Sequence, residues 1–501
     1  MPRFTVPPNF TGTTDSDTLI GEDLNKFPAI GIDILTGGFI DTGLGKDTIK
    51  GNGTGGKGAD GVIGKNGNGS KGGAGIGISN NGNLNAGSGD DAIISKAIGG
   101  RGGKGAEAEA ASGTVGGSGG AGTGISNISI LNTGFGNDTI SGNGTGGNGN
   151  YGGGQFNGGG DGGFGTGISN SGSINTGGGN DTITGTATGG TGSDARYGGD
   201  GGFGTGISNT GQLDTGDGND AIAGTSTGGI PGNGLLAGDG GVGTGISNNG
   251  SLDTGGGNDT ITGTGTGTGT DTFDGIGGIG TGITNSKKLD TGDGEDKIIG
   301  TGTITGGVFN YNSRATGIEN MKNATITTGQ GNDTITGSGN ALANSLMVIG
   351  ISNDGVIDTG NGRDILTGQA TAKIDGTAYG IYGQGTIRTG DGNDEITATS
   401  TINEIKQKVT IGGGINIDLG TGNDYFKGFG TGTLDGGKGF DTLDLSAFNR
   451  SELTFSGVIS GNALNPANIS FNNNGNVITL STTGFENFIF ADGSFYYSTL
   501  V

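Results

Sequence analysis

Twelve aspartates close one short motif, Gly-x-Gly-x-Asp: Asp47, Asp91, Asp138, Asp181, Asp220, Asp259, Asp296, Asp333, Asp364, Asp394, Asp424 and Asp441. A carboxylate beside paired glycines can do two things. It can accept backbone amides in a tight turn, or it can offer oxygen to a hard cation while the glycines let nearby carbonyls turn toward the same ion. Lys46 and Arg363, immediately before Asp47 and Asp364, place positive charge next to two of the twelve. Other chemistries are poorly supplied. The chain contains no His and no Cys, which excludes Ser-His-Asp hydrolases, zinc proteases of the His-Glu-x-x-His kind, disulfides and thiolate metal centres. A carbohydrate-active site built from Asp, Lys, Arg and Tyr stays conceivable, with Arg314 and Lys322 near Tyr311 as candidates, although such residues on a solvated face are usually surface.

The elements that position these aspartates show in the spacing. Successive motif aspartates are unevenly spaced, furthest apart from Asp91 to Asp138 and closest from Asp424 to Asp441. A second landmark, Gly-Ile-Ser/Thr-Asn or a relative, supplies Ile78, Ile125, Ile168, Ile207, Ile246, Ile283, Ile318, Ile351 and Ile381. Each Ile precedes its motif Asp by one constant interval, as Ile207 precedes Asp220 and Ile246 precedes Asp259; only the step from Ile318 to Asp333 is slightly longer. All remaining variation falls between an Asp and the following Ile. A disordered chain has no reason to hold half of its repeat constant, so the spacing predicts a stacked repeat.

Composition fixes what kind. Gly occupies 130 of 501 positions, apolar residues make up 28%, and only 6 prolines occur without a Gly-X-Y period. That is too little apolar surface for a thick core and the wrong pattern for collagen. Within one fixed half, Ile207, Leu213 and Ile222 are single apolar residues on short β-like runs separated by Asn and Gly. One inward side chain per strand suits an all-β parallel β-helix or β-roll solenoid. The variable, Gly-rich halves read as loops on one edge that shorten from the N-terminal coils to the C-terminal ones. A flexible loop and a second Gly-rich layer are both open readings of them.

Three regions follow. Residues 1–40 read as an N-terminal cap with a degenerate first coil around Thr11 to Gly21, preceded by Pro2, Pro7 and Pro8. Residues 41–445 form the repeat solenoid. Beyond it, 446–501 is poor in glycine, and half of all the phenylalanines lie from Phe426 onward. The alternating runs there predict a C-terminal β-rich cap over the open end of the solenoid.

Stacked coils rise about 4.8 Å each, so equivalent aspartates would form a ladder. Two carboxylates about 5 Å apart repel by about 0.8 kcal/mol at a dielectric of 80 and about 3 kcal/mol at 20. A dozen in a row call for a counter-ion, and carboxylate plus carbonyl oxygen suits Ca²⁺. The alternative is that the Asn-Asp corners are turn chemistry and bind nothing. The run Gly436-Gly437-Lys438-Gly439-Phe440-Asp441-Thr442-Leu443-Asp444 resembles the nonapeptide of the RTX, or haemolysin-type calcium-binding, family. That resemblance implies a parallel β-roll with calcium between turns and type I secretion by an uncleaved C-terminal signal. It is closest over residues 412–445, where Asp424 and Asp441 follow each other at the shortest interval of all. There Gly420, Gly422, Gly437 and Gly439 join the candidate metal-site residues. Wider coils of about 30 residues, with a related corner, are expected before residue 412.

The formal charge of −23, from 24 Lys and Arg against 47 Asp and Glu, disfavours nucleic acid and anionic membrane. No stretch is long and apolar enough for a membrane span, and the N-terminus lacks an apolar signal run. The sequence therefore predicts an extracellular or cell-surface, calcium-binding structural or adhesive protein without enzymatic activity. Cell-surface polysaccharide or self-association are the expected partners, besides calcium itself. A metal-free β-helix acting as an adhesin or an ice-binding protein is the competing reading.

Overall fold

A computed structural model describes residues 2–63, 67–107, 113–269, 276–306, 313–342, 345–373, 376–459 and 463–500. Each coil contributes three short strands, for example Gly204–Asn209, Gln212–Asp214 and Ala221–Thr227. Strand for strand, each pairs in parallel with its counterpart one coil on: Ile207 faces Ile246, Leu213 faces Leu252, and Ile222 faces Ile261. The first two runs of successive coils build a 27-stranded sheet and the third a 16-stranded one. The molecule is a stack of coils, a parallel β-helix.

Three buried columns fill its interior. Ile207, Leu213 and Ile222 are 0–1% exposed, and their equivalents along the stack are likewise buried. A lone coil would leave each of these side chains half wet, so burial comes from the neighbours above and below. Between the first and second strands the chain turns on a buried asparagine. Asn209 donates from Nδ2 to Oδ1 of Asn248 at 2.9 Å and to the Ser251 carbonyl at 2.8 Å. The same side-chain ladder runs unbroken from Asn80 to Asn353.

Beyond the Ile222 column the two opposing sheets close onto each other. A Cβ on Gly206 would sit 2.5 Å from the Thr225 nitrogen across the coil, so only glycine lets the backbones approach this far. From there the Gly-rich segments continue the sandwich as an ordered second layer, not as free loops. Gly163 donates to the Gly147 carbonyl at 2.7 Å, Gly190 to Gly163 at 2.8 Å, and Gly202 to Gly190 at 2.8 Å. Outgoing and returning runs thus alternate through the layer, while Gly192 also bonds the Ile230 carbonyl of the next outgoing run at 2.8 Å. Buried and exposed positions repeat with a period of three: Gly99, Gly100, Gly102 and Gly103 are buried, whereas Arg101 and Lys104 point to solvent. That period belongs to an extended helix with three residues per turn. Such helices satisfy their amides only between chains, and here glycine permits the contact. Toward the C-terminus the layer shrinks and the adjoining strands lengthen, from Ala221–Thr227 to the longer Thr260–Thr268.

Each end of the stack departs from the repeat. Phe4–Val6, Phe10–Thr13 and Thr18–Lys26 pair with Ala29–Ile34, Phe39–Gly43 and Thr48–Gly55, so an N-terminal coil stacks ahead of the first motif. At the other end Asn476–Thr483 pairs in parallel with Gly430–Asp435, and Leu453–Ser456 and Ala467–Asn473 extend it antiparallel. Asn487–Phe490 pairs in parallel with Thr442–Leu445 and turns back through Gly493–Tyr496. Phe429, Phe448 and Phe471 meet edge to face beneath these strands, with ring centres 5.0 to 6.4 Å apart.

Candidate metal-binding column

The motif corner lies between the second and third strands. In Thr215-Gly216-Asp217-Gly218-Asn219-Asp220, Gly216 and Gly218 have φ of 84° and 148°. A Cβ on Gly218 would fall 1.7 Å from the Gly179 carbonyl oxygen of the coil before. Positive φ and close stacking both demand glycine, which is why two glycine columns run the length of the rod. The Asp side chain then turns inward. All twelve motif aspartates are 0–2% exposed.

Each of them is tied to its neighbours in one direction. Asp220 donates its main-chain N–H to Oδ1 of Asp259 at 2.7 Å, and Asp259 donates to Oδ1 of Asp296 at 2.8 Å. The chain of bonds begins at Asp47 and passes through every motif to Asp441. The residue before the Asp bonds in the opposite sense. Asn219 donates its N–H to Oδ1 of Asn180, and Asn258 donates to Oδ1 of Asn219, both at 2.7 Å on the exposed side. Asn-Asp therefore knits the corner up and down the axis at once.

One oxygen of every carboxylate is left over. Oδ2 of all twelve motif aspartates is buried with no hydrogen-bond partner. Burial accordingly pushes the carboxyls up: Asp220 and Asp424 to about 6, Asp296 and Asp394 to about 7. At Asp220 the neighbouring Thr215 hydroxyl, and after it the Asp181 amide of the preceding coil, oppose the rise and do not cancel it. An unpaired buried carboxylate is costly, so each site favours either a proton or a bound cation.

These atoms fit a hard cation. They are oxygens, deprotonated at neutral pH only against resistance, and spaced along a corner rich in main-chain carbonyls. No trio of Asp, Glu, His or Cys side chains converges as a metal cluster among the described residues. An ion here would take one or two carboxylates and complete its shell with carbonyl oxygen and water. Gly420, Gly422, Gly437 and Gly439 lie at the last two corners, where Thr421 pairs with Lys438 and Gly422 with Gly439 in register.

The column is longer than the motif. Asp17 donates its N–H to Oδ1 of Asp47 at 2.7 Å, and Asp441 donates its own to Oε2 of Glu486 at 2.9 Å. Asp17 lacks both motif glycines and Glu486 the first of them, so a strict motif passes over both; the local hints are the degenerate coil that ends in Ser16-Asp17 before Thr18–Lys26, and Gly484-Phe485-Glu486, which parallels Gly439-Phe440-Asp441. Elsewhere, Tyr311 lies outside the described residues, and Arg314 is engaged by Glu319 at 2.8 Å and by Thr316 at 3.0 Å. No family model matches this sequence, and no curated protein is similar to it.

Proposed function

We propose that the chain is a calcium-loaded extracellular rod, serving a structural or adhesive role at a cell surface. The observation that carries this reading is the row of twelve buried, partnerless Oδ2 atoms along one corner. Like charges at a coil spacing of about 4.8 Å repel by about 3 kcal/mol per neighbouring pair at an effective dielectric of 20. A divalent ion between coils reverses the sign of that interaction. The motif aspartates would supply carboxylate oxygen, and the motif glycines would leave main-chain carbonyls free to complete the shell. Calcium then stabilises the fold by mass action, because the sites exist only when coils are stacked. A chain kept unfolded where calcium is scarce and folded where it is abundant fits export before folding, as the RTX-like motif implies.

The test is a calcium titration of the chelator-treated full chain by calorimetry, followed in parallel by far-ultraviolet circular dichroism. Several ions bound per chain with a cooperative gain of β signal supports the reading. A β signal complete in chelator, with no heat of binding, rejects it and leaves a metal-free β-helix.

A further inference from the structure

Glu486 occupies the register of a motif aspartate without belonging to a motif. Asn487 faces Thr442 across the sheet, just as Thr442 faces Tyr425, so Glu486 stands over Asp441 as Asp441 stands over Asp424. The bonds repeat as well. Thr442 donates its N–H to the Asp424 carbonyl at 2.8 Å, and Asn487 donates to the Asp441 carbonyl at 3.0 Å. The Asp441 amide reaches Oε2 of Glu486 at 2.9 Å, the role that Oδ1 of Asp441 plays for Asp424 at 2.8 Å. Glu486 begins the last parallel rung of the cap, and Tyr497 donates its N–H to the Glu486 carbonyl at 2.9 Å. The corner beneath it is crowded with negative charge. Glu486 and Asp435 both act electrostatically on Asp441, whose Oδ2 is buried without a partner.

Resting on the calcium reading above, we infer that Glu486 is a further cation ligand, and that an ion held between it and Asp441 fastens the C-terminal cap to the last coil. Without an ion, docking the cap brings a carboxylate onto the end of an acidic column, which opposes docking. With one, the same contact becomes attractive, so the cap closes only over a loaded column.

The experiment is hydrogen–deuterium exchange of the full chain, in chelator and in calcium chloride, for the unmutated protein and for Glu486→Gln. Glutamine keeps an oxygen for the Asp441 amide and removes the charge. In the unmutated chain, calcium should slow exchange both in coils such as 204–269 and in the cap at 467–500. In Glu486→Gln the coils should still respond, the cap should not, and calorimetry should count one ion fewer. Equal calcium protection of the cap in both proteins, with unchanged stoichiometry, overturns the inference while leaving the calcium reading intact. No protection anywhere in the unmutated chain overturns both. If the glutamine cap already exchanges faster in chelator, Glu486→Asp decides: recovery of calcium-dependent protection supports the ion, and its absence assigns Glu486 a packing role only.

Discussion

Asp220 and Asp259 are joined by one bond and kept apart by one charge: the Asp220 amide reaches Oδ1 of Asp259 at 2.7 Å, while Oδ2 of Asp259 stays buried and unpaired. Hydrogen bonding sets the register, and the remaining oxygen sets the dependence on solution conditions.

On the calcium reading, proton and cation would compete for the same oxygen. The folded-state carboxyls of Asp220 and Asp296 sit near 6 and 7, above the ordinary 3.8. A raised folded value means that protons stabilise the fold. The contribution is full below about pH 4 and is lost as pH rises through 6 to 7. In chelator the melting temperature should therefore fall between about pH 5 and about pH 8, and excess calcium should flatten or reverse that slope. A chelated protein that melts higher at the alkaline end contradicts the account.

Removing one charge separates register from binding. Asp259→Asn keeps an oxygen for the Asp220 amide and deletes the unpaired carboxylate. At neutral pH without calcium it should stabilise the chain by about 1–3 kcal/mol in denaturant unfolding. In calcium it should lose that advantage and bind fewer ions.

Much of this was legible from residue order, and the gaps have physical causes. Ile207, Leu213 and Ile222 announced their strands because a thin solenoid needs one apolar residue per run, and all three lie buried. The glycine layer was ambiguous because local sequence does not reveal bonds made to other coils; Gly190 is ordered by Gly163 and Gly202, both remote from it along the chain. Glu486 was passed over because its run, Gly484-Phe485-Glu486, keeps only half of the motif and replaces Asp with Glu, and only the pairing of Asn487 with Thr442 places it in the column. The inward turn of the aspartates was equally hidden, since Asn219 and Asp220 differ in sequence only by side chain yet face opposite ways.

The layer itself is testable by a pair of neighbouring substitutions. A Cβ on Gly190 would lie 2.0 Å from the Gly147 carbonyl oxygen, whereas Thr191 beside it is partly exposed. Gly190→Ala should cost about 1–3 kcal/mol, and Thr191→Ala should stay within about 0.5 kcal/mol. Equal costs at the two positions would argue against a hydrogen-bonded layer.

Core truncation should be costly and local. Ile222→Ala deletes a side chain that is 1% exposed, at about 2–5 kcal/mol. Because each coil touches only its neighbours, hydrogen exchange should accelerate around Ala221–Thr227 and its two flanking strands while distant coils stay protected.

Ending the chain after Leu445 should expose the edges of Gly430–Asp435 and Thr442–Leu445, now covered by cap strands. Open strand edges pair with one another. Light scattering should report self-association of the truncated chain at concentrations where the full chain scatters little.

The glycine layer has a consequence for how this protein can change over generations. Its glycine-to-glycine hydrogen bonds need glycine at two positions of three; the third side chain points outward, and some of these, such as Asp161 accepting the Asp200 amide at 3.0 Å, brace the next coil as well. Those third positions already differ widely, from Arg101 and Lys104 to Asp200, Phe203 and Leu236, on the same backbone lattice. Along a run they recur about every 9 Å. The layer is thus a pegboard on which surface character can be varied one residue at a time, most freely where the outward side chain accepts no amide, while the glycines beneath keep the lattice.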